Sequence, residues 1–193
     1  MITKALALNG ANKVYIVGRR KEKLDEAAKI SPNIIGIVGD VTSKDSLRAI
    51  TAQIRSEVGF VNLLVANSGA MGPSNPVKAG EGTLSEFANA AFDSDPEEFN
   101  KVFNVNVTAV LYTAYAFLEL LDEGNKKNVI PDTKSQILVT ASIAAFNKAP
   151  NLSMSYKTSK AAVTLAAKTL SAELLHYDIR VNSLAPGSES FFP

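Results

Sequence analysis

Two side chains with the spacing of helical neighbours, Tyr156 and Lys160, form the most chemically suggestive pair in this sequence. Residues four apart share one face of a helix. The same face continues with apolar side chains at Val163, Ala167, Leu170 and Leu174. An ammonium group beside a buried face needs a compensating partner, and a cation near a phenol stabilises the phenolate. The pair therefore predicts a tyrosine general acid/base assisted by lysine. The alternative is a lysine that extends to solvent beside a surface tyrosine.

A polar side chain on an apolar helix face is the second candidate. Asn106 lies in the middle of a helix predicted over 96–121. The apolar residues predicted to share its face are Phe99, Phe103, Val110 and Phe117. A buried amide without partners costs about 1–3 kcal/mol. Asn106 is therefore expected to be either a site residue or an amide satisfied by neighbouring backbone.

Several polar residues follow apolar strand signals. Ser142 follows the run 137–140, and Asn67-Ser68-Gly69 follows 63–66. Asp40 follows 34–38, and Arg19 follows 14–17. Ligand sites in parallel α/β sheets gather at the carboxyl ends of the strands, so these residues are predicted to surround one edge. Each alone is also compatible with ordinary turn chemistry, Ser142 as a turn or helix cap.

The elements that must position these residues alternate between strand and helix. Strands are predicted at 14–17, 34–38, 63–66, 137–140 and 179–184, and helices at 2–9, 24–29, 44–58, 96–121 and 153–176. Near-continuous apolar strands separated by helices indicate a parallel sheet covered on both faces. The expected fold is a doubly wound, Rossmann-like α/β domain in three layers, spanning residues 1–193. The long stretch 70–94 is expected to hold a short helix or a substrate lid.

Composition excludes several classes of function. The 193 residues are 46% hydrophobic and 20% charged, with a net charge of +1. No basic stripe favours nucleic acid as a partner. The absence of cysteine and the single histidine argue against a metal site. No apolar run has membrane-spanning length, and the first residues are unlike a signal peptide, so a cytoplasmic protein is expected.

Taken together, these motifs resemble the classical short-chain dehydrogenases/reductases. Asn106 lies in FNVNVTAV, Ser142 in ILVTASIAAF, and Tyr156 with Lys160 in SYKTSKAAV. The 14-residue separation of Ser142 and Tyr156 is the one that the family uses. The other matching segments are GDVTS at 39–43, VANSG at 65–69 and RVNSLAPG at 180–187. These matches in the right order make the resemblance specific.

The resemblance implies a role for each catalytic candidate. Tyr156 would exchange a proton with the oxygen of a carbonyl or secondary alcohol, and Ser142 would orient and polarise that oxygen. Lys160 would assist Tyr156 and bind the nicotinamide ribose, and Asn106 would hold a water that links Lys160 to solvent. Hydride would pass directly between nicotinamide and a small-molecule substrate, without a metal.

The resemblance also implies the cofactor contacts. They are Arg19, Asp40, Val41, Asn67, Gly69, Tyr156, Lys160, Pro186 and Gly187. Gly18 stands where members that prefer NAD carry an acidic residue, and Arg19-Arg20 follow it. Since arginine suits a 2′-phosphate, NADP(H) is predicted over NAD. The alternative is that the two arginines are a solvated start to the following helix.

The family's first strand, with its Gly-rich phosphate loop, has no counterpart here. Residues 2–9 have a helical pattern, and the family's substrate-binding region after Gly187 is also expected to be missing. Since the absent strand lies in the middle of the family's sheet, part of the core is expected to go with it. The alternative function is therefore a truncated inactive fragment, or a non-catalytic chain that forms homo-oligomers through helices 96–121 and 153–176.

Overall fold

A computed structural model describes residues 1–129, 131–148, 150 and 152–187. The contacts divide the chain into two compact units, Met1–Glu57 and Val58–Pro193. Each unit is an arrangement of parallel strands and helices. The Rossmann-like α/β class is confirmed, while the single domain over 1–193 stays a prediction.

The first unit is built around two parallel strands. Its elements are α1 (Ile2–Leu8), β1 (Val14–Gly18), α2 (Lys21–Ala28), β2 (Ile34–Val38) and α3 (Lys44–Glu57). Val14 pairs with Ile34 at the start of the ladder, and the two side chains pack with Ala7 in a small core. On α3, Ile50 and Ile54 are almost wholly buried. β-Branched runs thus form the strands, and one apolar stripe per helix covers them.

The second unit carries a three-stranded parallel sheet. Its strands are β3 (Leu63–Ala66), β4 (Gln136–Thr140) and β5 (Arg180–Leu184), with β4 in the middle. Its helices are α4 (Leu84–Phe92), α5 (Pro96–Phe103), α6 (Ala109–Lys127) and α7 (Met154–Glu173). Fully buried Leu120, Leu121, Ile137 and Val163 form the centre of its core. This sheet places the ends of β3, β4 and β5 side by side.

The strands form two sheets rather than one. Among the described residues, β1 pairs with β2 only, and β3 pairs with β4 only. This agrees with the expectation that the family's central strand is not among the strands of this sequence.

The predicted helix 96–121 is interrupted. A π-helical turn, Asn104–Thr108, separates α5 from α6, and α6 continues beyond the predicted end to Lys127. A π turn inserts one extra residue, which rotates the preceding face by about 100°. Val102 is therefore the buried residue of α5, at 2% exposure, while Phe99 is 37% exposed. The prediction that Phe99 shares the buried face with Asn106 is wrong for this reason.

The stretch 70–94 contains the short helix that its length predicts. Thr83 and Glu86 form a capping box at the start of α4, which fixes where the helix begins. No residue of α4 is buried, and Leu84 and Phe92 are almost fully exposed. The segment leaves the sheet edge next to Gly69 and returns at Asp95, whose carboxylate accepts a hydrogen bond from the Glu97 amide at 2.9 Å.

Candidate active site

A cavity of about 300 Å³ opens at the carboxyl ends of β3, β4 and β5. It is lined by Asn67, Gly69, Ala70, Met71, Thr140, Ala141, Ser142, Tyr156, Lys160, Pro186 and Gly187. Seven of these are site residues predicted from the sequence. Among the described residues that line it, Lys160 is the only one with a charged side chain.

Lys160 is held inside the second unit rather than extended to solvent. It is 4% exposed, and its Nζ donates a hydrogen bond to the Thr140 carbonyl at 2.7 Å. Burial lowers the pKa of Lys160 below its usual value of 10.5. An ammonium has three donors, so two remain beyond the bond to Thr140. The alternative of a lysine that extends to solvent is wrong.

Tyr156 lies one helical turn before Lys160 and is half-buried at the cavity wall. The Lys160 Nζ is 5.8 Å from the centre of its ring. Ser153 caps α7, and its hydroxyl accepts from the Tyr156 amide at 3.5 Å. The start of α7 therefore fixes the backbone of Tyr156 relative to the end of β4.

Ser142 caps a turn and also lines the cavity. Its Oγ accepts a hydrogen bond from the Ala144 amide at 3.1 Å, which caps a 3₁₀ turn over Ile143–Ala145. The capping alternative is thus observed, yet the same side chain lines the cavity. Because Oγ accepts in the cap, its own O–H is left to donate to a bound oxygen.

The Asn106 side chain is fully buried in the π turn. Its Oδ1 accepts from the Ala70 amide at 2.7 Å, and its Nδ2 donates to the Ala70 carbonyl at 2.9 Å. Nδ2 also donates to the Ser159 hydroxyl at 2.9 Å. Satisfaction by backbone is therefore what the structure shows for this amide. A water-binding role of Asn106 stays a prediction.

The ends of the three strands are tied together. Thr140 Oγ1 donates to Asn67 Oδ1 at 3.0 Å, which links β4 to the turn after β3. The Ile143 amide donates to the Pro186 carbonyl at 3.0 Å, and the Ala141 amide to the Leu184 carbonyl at 2.7 Å. These bonds place Pro186 and Gly187 at the cavity. Since Asn67 Oδ1 is occupied, its amide N–H groups are left as donors.

The cavity has room and donors for the nicotinamide riboside half of a dinucleotide. Gly69 lies beside the lysine, since a Cβ there would be 3.6 Å from Lys160 Nζ. Its missing side chain leaves that space open, and the two remaining Lys160 donors suit ribose hydroxyl groups. These residues fit the group that the resemblance implies.

The remaining predicted contacts lie in the first unit. Arg19 directly follows β1, and Asp40 and Val41 follow β2, so they share the carboxyl edge of that sheet. Hydrogen bonds from the Thr42 hydroxyl and amide lower the pKa of Asp40, and the positive charge of Arg19 adds to the effect. Contacts of both units to one dinucleotide stay a prediction.

Two residues at the site were not predicted. Thr140 holds Lys160 through its carbonyl and Asn67 through its hydroxyl. Ser159 links Asn106 to the backbone of Tyr156. The only available signals were a polar end to an apolar strand and a serine between Tyr156 and Lys160 in SYKTSKAAV.

Comparison with known proteins shows the class to which this fold and cavity belong. The family model of the short chain dehydrogenases matches residues 1–190. The chain is 47% identical over 191 residues to the short-chain dehydrogenase/reductase PhomF of Diaporthe leptostromiformis, covering 97% of this chain and 64% of that protein. It is 37% identical to the short-chain dehydrogenase/reductase VdtF of Byssochlamys spectabilis, covering 97% and 68%. The chain therefore belongs to the short-chain dehydrogenase/reductase family of oxidoreductases.

Solved structures agree with this assignment. A 3-ketoacyl-(acyl-carrier-protein) reductase from Brucella melitensis, crystallised with NADH, is similar with a TM-score of 0.80 and 27% identity. The match covers 97% of this chain and 69% of that one. A short-chain type dehydrogenase/reductase from Mycobacterium marinum gives a TM-score of 0.76 at 29% identity, covering 96% and 68%. Members of the family use nicotinamide cofactors.

Residues 1–129, 131–148, 150 and 152–187 hold neither a membrane-spanning helix nor a cluster of metal ligands. None of the helices in these residues has the length and hydropathy that a membrane crossing requires. Within the same residues, no three His, Cys, Asp or Glu side chains are grouped as metal ligands. The cytoplasmic location stays a prediction.

Proposed function

We propose that this chain is an NADP(H)-dependent oxidoreductase that interconverts a carbonyl compound and a secondary alcohol, with Tyr156 as the acid/base. The observation that carries the proposal is the meeting of Tyr156, Lys160 and Ser142 at one cavity, with Lys160 anchored on the Thr140 carbonyl. The nicotinamide would supply or accept the hydride when bound. The chain spans 64% of the length of its relative PhomF, so this activity is proposed from the site alone.

The three side chains divide the proton chemistry in the proposed reaction. In reduction, Tyr156 donates its phenolic proton to the carbonyl oxygen as the hydride reaches the carbonyl carbon, and it takes the proton back in oxidation. The Ser142 O–H donates a hydrogen bond to the same oxygen, where negative charge develops. Lys160 stabilises the phenolate by its positive charge. Asn106 fixes the loop around Ala70 that forms one wall of the cavity.

Substitution of the proposed acid/base tests this assignment. Tyr156→Phe removes the transferable proton and keeps the ring, so NADPH oxidation with a ketone panel should fall by about 10²–10⁴-fold. NADPH binding, measured by calorimetry, should change far less than the rate, because Lys160 and the other predicted cofactor contacts remain. The matched control is Tyr177→Phe, because Tyr177 is exposed in a 3₁₀ turn outside the cavity lining. Equal rates for the two variants would refute a role for Tyr156.

The preference for NADP(H) rests on the charge at the end of β1. Arg19 and Arg20 are both exposed there, after Gly18, and no acidic residue follows the strand directly. Since charge-assisted bonds contribute about 1.5–3 kcal/mol, Arg19→Ala should weaken NADPH binding about tenfold or more and leave NADH binding unchanged. Lys29→Ala, at the other end of α2, is the control. An equal loss for both nucleotides would refute recognition of the 2′-phosphate.

A homo-oligomer is proposed through α5–α6 and α7. Each side exposes apolar side chains, with Tyr115 47% exposed on α6 and Leu165 66% exposed on α7. Light scattering after size exclusion should give a dimer that Leu165→Glu converts to a monomer, whereas Ala52→Glu, at an exposed position of α3 outside these helices, should not. A monomer at micromolar concentration in the unsubstituted chain would refute this assembly.

A further inference from the structure

Ser159 is a fully buried hydroxyl that the proposed reaction leaves without a role. It lies between Tyr156 and Lys160 in sequence, on the first turns of α7. Its Oγ donates to the Tyr156 carbonyl at 2.7 Å and is the acceptor of a bond from Asn106. Ser159 therefore joins the backbone of the turn that carries Tyr156 to a residue of a different element.

The hydrogen bonds around Ser159 have only one consistent direction. A serine has a single proton, and it is used on the Tyr156 carbonyl, so Ser159 must accept from Asn106. The Asn106 Nδ2 then faces Ser159 and the Ala70 carbonyl, and Oδ1 faces the Ala70 amide. The two bonds to Ala70 fix which way the Asn106 amide is turned, and Ser159 accepts the second Nδ2 hydrogen and so ties this amide to α7. The reversed amide would bring two donors together at Ala70.

The far end of this chain of bonds is the loop after β3. Ala70 is held by two bonds to Asn106, and the neighbouring Gly69 lies against Lys160. A Cβ on Gly69 would also be 3.4 Å from Asn106 Oδ1. Asn106 therefore helps to set the distance between the Gly69 backbone and the lysine ammonium, and Ser159 ties Asn106 to α7, the helix that carries Lys160.

We propose that Ser159 is a positioning residue, which anchors Asn106 to α7 so that the loop at residues 69–71 stays at a fixed distance from Lys160. The loop and Lys160 enclose the space that would receive the nicotinamide ribose, so the catalytic consequence rests on the function proposed above. The structural link itself does not depend on that function. Replacing Ser159 by alanine leaves one buried Asn106 N–H without an acceptor and removes the bond that ties the amide to α7.

Hydrogen exchange of the Ala70 amide measures this link directly. In native-state exchange followed by NMR, Ser159→Ala should speed exchange at Ala70 about tenfold beyond any change at the Leu170 amide, a core position of the same helix. The matched control is Thr164→Val, because Thr164 is 7% exposed and donates to the Lys160 carbonyl at 2.7 Å without contacting Asn106. In Thr164→Val, exchange at the Ala70 amide should change by the same factor as exchange at the Leu170 amide. Equal acceleration at Ala70 and Leu170 in Ser159→Ala would overturn the proposal.

Two more measurements separate positioning from general stability. In an Asn106→Ala background, Ser159→Ala should add no further acceleration at Ala70, and an undiminished effect would overturn the proposal. Should Ser159→Ala not fold, Ser159→Cys keeps a weaker donor and acceptor and should give an intermediate acceleration, whereas unchanged exchange would overturn it.

Kinetics test the catalytic consequence separately. Ser159→Ala should lower kcat about tenfold with a smaller change in the KM of the ketone, because the loop is displaced from Lys160 rather than removed from the substrate. A change confined to KM would contradict positioning of the reacting groups. Absence of all activity in the unsubstituted chain would refute the proposed function while the exchange result stands.

Discussion

Gly72 offers a direct test of how tightly the loop after β3 is packed. Its φ of +74° is left-handed, and a Cβ there would lie 2.5 Å from Ser155 Oγ and 2.6 Å from Val102 Cγ2. Both neighbours are only 2% exposed, so neither can move aside easily. Gly72→Ala is therefore expected to disturb both the backbone and the packing at the cavity wall.

The expected loss has two parts. Left-handed backbone in a residue with a side chain costs about 1–2 kcal/mol, and an extra carbon in a filled site costs about 1–3 kcal/mol. Gly72→Ala should thus lower the free energy of unfolding by roughly 2–5 kcal/mol. Gly80→Ala is the matched control, because Gly80 has a φ of +87° but nothing within 4 Å of the added Cβ. It should lose only the backbone part, about 1–2 kcal/mol.

Equilibrium unfolding in urea, followed by circular dichroism, measures the free energy of unfolding of both variants. The two are compared at similar m-values, the slopes of this free energy against urea concentration. The cost of Gly72→Ala should also shrink in a Ser155→Ala background, since that change removes the Oγ atom nearest to the new Cβ. The same loss of stability in Gly72→Ala and Gly80→Ala would refute the packing argument. Such a result would mean that the loop can relax away from α5 and α7.

Two other substitutions test the electrostatics and the capping. Burial lowers the pKa of Lys160 in the folded chain, so between that pKa and 10.5 the unfolded state binds more protons and stability must rise with pH. In urea unfolding from pH 7 to 10.5, the free energy of unfolding of the unsubstituted chain relative to Lys160→Met should therefore increase. The control is Lys168→Met, on the exposed side of α7. A decrease of that free-energy difference with pH would contradict the burial of a charged lysine. Asp95→Ala removes the side chain that caps α5 and should lower the free energy of unfolding by about 0.5–2 kcal/mol. The control is Asp93→Ala, which removes a nearby charge but keeps the bond from the Glu97 amide to Asp95. Equal shifts of the melting temperature in the two variants would show that capping contributes nothing.

The sequence was a good guide to the elements and to the identity of the cavity residues. Apolar runs bounded by turn residues located the five strands of the described residues to within one residue at each end. The Tyr156–Lys160 spacing predicted a shared helix face, and the buried positions of α7 follow it. These features depend on local residue patterns, which can be recognised in the sequence alone.

The remaining features depend on partners distant in sequence. The π turn at Asn104–Thr108 accompanies bonds from Asn106 to Ala70 and Ser159, which are 36 and 53 residues away. Lys160 is compensated by a backbone carbonyl, and a carbonyl has no signature in the sequence because every residue carries one. The bonds of the Asn106 amide to Ala70 and Ser159 likewise could not be predicted from the sequence, and its water-holding role stays a prediction.

The strand pairings of the two units differ greatly in sequence separation, and this bears on the order of folding. In the first unit Val14 pairs with Ile34, 20 residues later, whereas in the second Leu63 pairs with Gln136, 73 residues later. Loop-closure entropy grows by about 0.6 kcal/mol per doubling, so the longer closure costs about 1.1 kcal/mol more. Pairing of β1 with β2 can be complete while β4 is still being synthesised. During that interval the edge of β3 that pairs with β4 is unpaired. In a nascent chain, β3 is therefore the segment where misassembly would begin.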